Sequence, residues 1–208
     1  AHAQERGIEL SVCQNMFGHT ERWLIHEPYD QLGNFKDIQA RLDEGEGPFS
    51  FNPAHPDSLS LLLEWGKELR PLLRSGILNF GGDETIDLGK GASEDLVKKH
   101  GLANVYAGHL KALAEGLQEQ NWKCQFWADI ALEHPNLLES LPKNLTALAW
   151  GYESDSDFER WGERLKASEM SWWACPGTSA WRSFVGRRDA RSGSIASGLS
   201  GSLKYGAD

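Results

Sequence analysis

Cysteine is scarce in this chain of 208 residues: Cys13, Cys124 and Cys175 are the full set. An odd number at wide spacing offers no disulfide framework and no Cys-x-x-Cys metal pair. No apolar run is long enough to span a bilayer. The opening residues Ala1-His2-Ala3-Gln4-Glu5-Arg6 lack the apolar core of an intact signal peptide. Basic residues are outnumbered, 21 Lys and Arg against 30 Asp and Glu, for a net charge of -9. That balance argues against nucleic acid and anionic membranes as partners, because both need clustered cationic side chains. The Gly89-Lys90-Gly91 loop is not a dinucleotide fingerprint, since its third glycine and strand–turn–helix setting are missing. What remains is the composition of a soluble globular protein with a real core, its thiols expected to be buried. A reducing compartment such as the bacterial cytoplasm fits.

Tryptophan is abundant by contrast, with nine residues. Several fall where apolar strands end. The expected strands are 8–13, 77–80, 123–127, 145–150 and 170–174, each followed by a loop and a helical pattern. The clearest helix is 102–118, with Leu102, Val105, Tyr106, Leu110, Leu113 and Leu117 in one stripe. His109 beside that stripe reads as structural. Other helices are expected from Glu21, from Asp57, around 135–141, over 155–166 and, weakly, over 188–206. Residues 27–56 are rich in Gly, Pro, Asp and Asn and read as a long irregular cover for a site. Consecutive βα units with continuous apolar strands imply a parallel sheet with helices outside. The fold class is therefore α/β, of the (β/α) TIM-barrel type, in one domain over 1–208. Five strands are visible where a closed barrel has eight, so the expectation is a partial barrel lacking its first strands and its last. A second copy of the chain, rearranged helices or further chain is expected to cover the open edges.

The stretch Gly76-Ile77-Leu78-Asn79-Phe80-Gly81-Gly82-Asp83-Glu84-Thr85 carries the chemistry. A short buried strand ends in two glycines, and two adjacent carboxylates follow. Neighbours in an ideal strand point to opposite faces. Here the glycines let the backbone bend so that both acids face one cavity. Close carboxylates repel, so one is expected to hold a proton, and an acid beside an ionised partner is what glycosidic cleavage needs. His19 lies on the loop after the first strand. Asp and Glu after Gly-Gly are also ordinary loop and cap residues, so the reading needs support from the rest of the chain.

That support comes from the ordered set of motifs. Asn79-Phe80-Gly81-Gly82-Asp83-Glu84-Thr85 resembles the Gly-x-Asp-Glu signature of family 20 glycoside hydrolases, the β-N-acetylhexosaminidases. Asn15-Met16-Phe17-Gly18-His19 is similar to that family's Pro-Gly-His loop, with Phe17 in place of proline. Trp127-Ala128-Asp129 and Trp150-Gly151 are similar to its strand-end tryptophans, and the segment from Trp173 through Cys175 to Trp181 resembles a segment of one bacterial branch of the family. The resemblance implies removal of terminal N-acetylhexosamine from a small or oligosaccharide substrate, through an oxazolinium intermediate formed by the sugar's own acetamide. It implies Glu84 as acid and base, Asp83 as partner of the acetamide N–H, and His19 as tuner of Glu84. It implies Trp127, Asp129, Trp150, Tyr152, Trp173, Cys175 and Asn15 as substrate contacts, with no metal or organic cofactor. Two departures are visible. Trp173 stands where the family has a tyrosine on the acetamide oxygen, and the sugar-binding arginine of the family's first strand has no counterpart before Ile8. They keep open a catalytically weak sugar-binding relative. A metal-dependent barrel enzyme using His19, Asp83, Glu84 and Asp129 is a further alternative.

Overall fold

The computed structural model describes residues 2–178 and 183–207. The Ser179-Ala180-Trp181 end of the segment quoted above lies outside the described residues. The sheet runs β1 (Val12–Cys13), β2 (Ile77–Asn79), β3 (Lys123–Trp127), β4 (Thr146–Gly151) and β5 (Ser171–Pro176), neighbours in chain order. Pairing is parallel, with Val12 opposite Leu78, Leu78 opposite Cys124 and Leu148 opposite Trp173. Helices α1 (Glu21–Leu24), α2 (Ile38–Asp43), α3 (Pro56–Leu69), α4 (Glu94–His100), α5 (Leu102–Glu119), α6 (Asp129–Glu133), α7 (Pro135–Ser140), α8 (Phe158–Ala167) and α9 (Arg188–Tyr205) fill the connections. Chain-order parallel strands joined through helices make this a partial (β/α) barrel. No helix among the described residues is long and apolar enough to cross a membrane.

The chain divides into two compact units, Ala1–Gln125 and Phe126–Asp208, with the boundary inside β3. In the first, α3 starts on Pro56, with the His55 ring accepting from Asp57 N at 3.2 Å, a cap that satisfies one orphan N–H. Its Leu62 and the α5 residues Leu110, Leu113 and Leu117 are fully buried, each stabilising the unit by roughly 1.5–3 kcal/mol. Trp122 Nε1 donates to the Gly66 carbonyl at 3.1 Å and ties the end of α5 to α3. Leu78 and Phe80 are fully buried, while Asn79 between them turns to the other face, as the two-residue strand period requires.

In the second unit Trp172 is buried against Gly162 of α8, where a Cβ would lie 2.8 Å from its ring. Alternation then places Trp173 and Cys175 on the face turned away from α8. Helix α9, weak by sequence pattern, forms because its small residues fit tightly. Ser194 Oγ donates to the Gly151 carbonyl at 2.7 Å, and Gly198 lies on Pro176.

Several expectations need correction. The first strand is two residues long rather than six, because Ile8 and Leu10 stay more than half exposed instead of joining a ladder. Cys13 on it is exposed, whereas Cys124 is buried and Cys175 partly so. The stretch 27–56 is not wholly irregular. It holds a short helical turn at Asp30–Leu32, then α2, and an antiparallel bridge of Gly33 with Phe51. Buried Leu32, Ile38, Phe49 and Phe51 give it a core that its polar composition masked. Helices α4 and α6 had no strong apolar period and were not anticipated.

His109 on α5 is buried, and burial pulls its pKa down to about 4, against a hydrogen bond to the Met16 carbonyl. The unfolded chain binds that proton first. Stability from the neutral ring is therefore full above pH 6.5 and lost as pH falls to about 4, a loss of about 3 kcal/mol. Urea unfolding compared at pH 7 and pH 4.5 should show this extra acid sensitivity in the native protein and a smaller one in His109→Gln, which cannot titrate.

Candidate active site

Two loops of the first unit meet beyond β1 and β2. The backbone ladder continues past both strands: Gln14 N donates to Asn79 O at 2.9 Å, Met16 N to Phe80 O at 2.9 Å, and Phe80 N to Gln125 O at 3.0 Å. The second loop then bends sharply, with Gly81 and Gly82 at φ 80° and 96°. These values suit glycine and strain other residues. The loops touch so closely that a Cβ on Gly18 would overlap the Asp83 carbonyl oxygen. A Cβ on Gly81 would come within 2.8 Å of Asn15 Oδ1. Asn15 Nδ2 donates, at a long 3.5 Å, to the His19 carbonyl. Asn15, expected at the substrate, is thus placed between the two loops.

At the meeting point His19 Nε2 lies 3.1 Å from Glu84 Oε2 and 3.4 Å from Asp83 Oδ2. One ring nitrogen is shared between two carboxylates, so both acids face the same point despite being neighbours in sequence. Both His19 (φ 55°) and Glu84 (φ 45°) occupy the left-handed region, a conformation that costs non-glycine residues of order 1–2 kcal/mol. The His19 pKa is raised to about 9, first by its hydrogen bond to Asp83 and then by the charges of Asp83, Glu84 and Glu21, with burial opposing. Glu84 is nearer, yet the Asp83 bond dominates. Asp83 is only 18% exposed against 45% for Glu84, so water screens it less. Sequence reasoning looked to repulsion between the acids as the source of a held proton. The structure adds a third group between them, the His19 ring, whose raised pKa favours its charged form. Asp83 Oδ1 is buried and has no hydrogen-bond partner among the described residues, a costly state for a carboxylate oxygen.

The second unit carries the other expected residues. Trp127 ends β3 half-buried, and Asp129 is the first residue of α6. Trp150 lies half-buried in β4, its ring centroid 5.1 Å from that of Tyr152 at a 32° tilt. The Trp150 Nε1 is buried with no partner among the described residues. Asp129, Trp150, Tyr152, Glu153, Trp161 and Arg164 line a cavity of about 520 Å³. Trp173 and Cys175 sit on β5, Trp173 39% exposed. They do not line this cavity. Burial pushes the Cys175 thiol up to about 11, so it stays neutral. Trp161 and Arg164 escaped sequence reasoning because α8 reads as an ordinary amphipathic helix. Among the described residues, no group of three or more His, Cys, Asp and Glu side chains is arranged to hold a metal ion.

The sequence model described as "Glycosyl hydrolase family 20, catalytic domain" matches residues 1–170. No curated protein matches the chain in sequence. Solved structures do match in fold. One is a chitobiase of Flavobacterium johnsoniae, 19% identical, with TM-score 0.64 over 85% of this chain and 27% of that one. Another is a β-N-acetylhexosaminidase of Bacteroides fragilis, 18% identical, with TM-score 0.64 over 85% of this chain and 34% of that one. A third is an exo-β-N-acetylglucosaminidase of Vibrio harveyi in complex with N-acetylglucosamine, 18% identical, with TM-score 0.58 over 85% of this chain and 27% of that one. The chain thus spans between a quarter and somewhat over a third of the length of such relatives.

The loop contact gives two expected outcomes. Gly18→Ala should force the loops apart and lower stability by about 1–3 kcal/mol, read as a reduced urea midpoint. The raised His19 pKa contributes stability that is full below pH 6.5 and lost as pH rises through about 9. His19→Gln should remove that alkaline component, so its urea midpoint should fall less than the native one between pH 7 and pH 10.

Proposed function

This chain belongs to glycosyl hydrolase family 20, and from that premise we propose that it is a retaining exo-glycosidase removing terminal N-acetylhexosamine by substrate-assisted catalysis. The observation that carries the reading is the convergence of His19, Asp83 and Glu84 on one point. In the proposed reaction the sugar's acetamide oxygen attacks the anomeric carbon while Glu84 donates a proton to the leaving glycosidic oxygen. The bond to the leaving group breaks, and a cyclic oxazolinium carries the positive charge. Glu84, now a carboxylate, takes a proton from water, which opens the ring at the anomeric carbon and restores the acid. Net retention follows from two inversions.

The chain's own groups suit these parts. Asp83 is the deeper acid, and a carboxylate screened from water stabilises a developing positive charge most strongly. We assign it to the acetamide N–H, which would serve as the donor that its Oδ1 lacks. Glu84 is the more exposed acid and reachable by a leaving group and by water. His19, 3.1 Å from Glu84, tunes the protonation of that acid. Trp127, Trp150 and Tyr152 are assigned to the flat apolar faces of the sugar, where aromatic rings lose little entropy on binding. Trp173 stands where a hydroxyl donor was expected. Its indole N–H can still donate, from a different place on the ring.

The test is turnover of aryl N-acetylglucosaminide and N-acetylgalactosaminide by the purified chain, with an oxazoline-mimicking thiazoline as inhibitor. Glu84→Gln should lower turnover by roughly 10²–10⁴-fold while thiazoline binding survives. Native-like turnover in that variant would remove Glu84 from the chemistry. Thiazoline binding without any turnover by the native chain would instead indicate a sugar-binding relative.

A further inference from the structure

The acid loop and the histidine loop share one anchor. Helix α5 presents Tyr106 and His109 one turn apart on a buried face. Tyr106 Oη donates to the Gly82 carbonyl at 2.8 Å. That carbonyl belongs to the peptide leading into Asp83. His109 Nε2 lies 3.2 Å from the Met16 carbonyl, three residues before His19. A carbonyl only accepts, so the neutral His109 ring carries its proton on Nε2. The Phe17 ring packs against both donors, its centroid 5.7 Å from that of Tyr106 and 4.2 Å from that of His109. Met16, Phe17 and Tyr106 have no solvent exposure.

We propose that Tyr106 and His109 are positioning residues that hold the two loops to one rigid frame and so set the separation of His19 from Asp83 and Glu84. The proposal rests on the reading of those three residues as the reacting cluster. Its physical basis is the cost of a buried carbonyl without a donor. Remove either donor and the freed carbonyl turns toward water, taking its loop along. The tolerance is narrow, since a displacement near 1 Å in a reacting group costs on the order of 10²-fold in rate. The low pKa of His109 keeps it neutral, a fixed Nε2 donor, at any pH above about 4.

The experiment is an NMR titration of the His19 ring in the free protein, assigned by loss of its signal in His19→Gln. It needs no turnover, so it stands apart from the hydrolase reading. Asp83, Glu84 and Glu21 are the charges that act on this ring. Tyr106→Phe and His109→Leu should each lower the His19 midpoint by about one pH unit or more. His109→Gln, which can place an amide N–H near the same spot, should restore it. Should the chain hydrolyse an aryl N-acetylglucosaminide, the first two variants should also lose roughly 10–100-fold in kcat, with KM within about twofold. Tyr106→Phe deletes one hydroxyl and keeps the ring against Phe17, so it decides the matter if His109→Leu does not fold. An unchanged His19 midpoint in folded Tyr106→Phe overturns the proposal. So does a His109→Gln protein that behaves as His109→Leu does, because packing alone would then explain the effect. Shifted midpoints in a chain without turnover would leave the positioning role standing and sink the hydrolase reading instead.

Discussion

One N–H of His19 shared between the carboxylates of Asp83 and Glu84 is the contact on which the first unit's loops depend. Adjacent residues of an extended chain cannot aim at one atom. The backbone around Gly81 and Gly82 therefore leaves the strand conformation, and Glu84 itself takes a left-handed one. His19 does the same from the other side. Such strain persists only where the surroundings over-determine it. Here they do so through glycine at the points of closest approach, through the backbone ladder that runs on past β1 and β2, and through the donors of α5.

The same contact sorts two chemically similar acids into different environments. Asp83 is enclosed and Glu84 half-open. Burial governs how strongly water screens a charge. The enclosed carboxylate interacts most strongly with the imidazolium and is suited to stabilise another cation in its place. The open one is suited to trade protons with a ligand and with water. The second unit contributes something different, an aromatic and charged cavity built around Trp150 and Tyr152, with Trp161 and Arg164 from α8.

Much of this was legible in the residues themselves. Glycine before a carboxylate pair marked the bend, and the alternation of strand, loop and helix marked a (β/α) fold. Strands β2 to β5 and helix α5 came close to their expected bounds because their apolar patterns are strong. The reading failed where tertiary packing outweighs local pattern. Ile8 and Leu10 look like strand residues but stay exposed. Phe49 and Phe51 sit in a polar stretch yet form a core. Helix α9 owes its place to Ser194 and Gly198 meeting the sheet, which no apolar period announces. In the site, motif order singled out His19, Asp83 and Glu84, whose side chains meet in the structure. It could not show that the imidazole stands between the acids, nor that Tyr106 and His109 hold their loops, since a donor in an apolar stripe looks like any other buried residue.

The shared imidazole is open to one direct measurement, the titration of the His19 ring in the unmodified protein beside Asp83→Asn. The three-group contact requires a native midpoint near 9 and a marked fall once the dominant carboxylate is neutralised. A native midpoint near 6.5, unmoved by that substitution, would show that the acids and the imidazole do not meet.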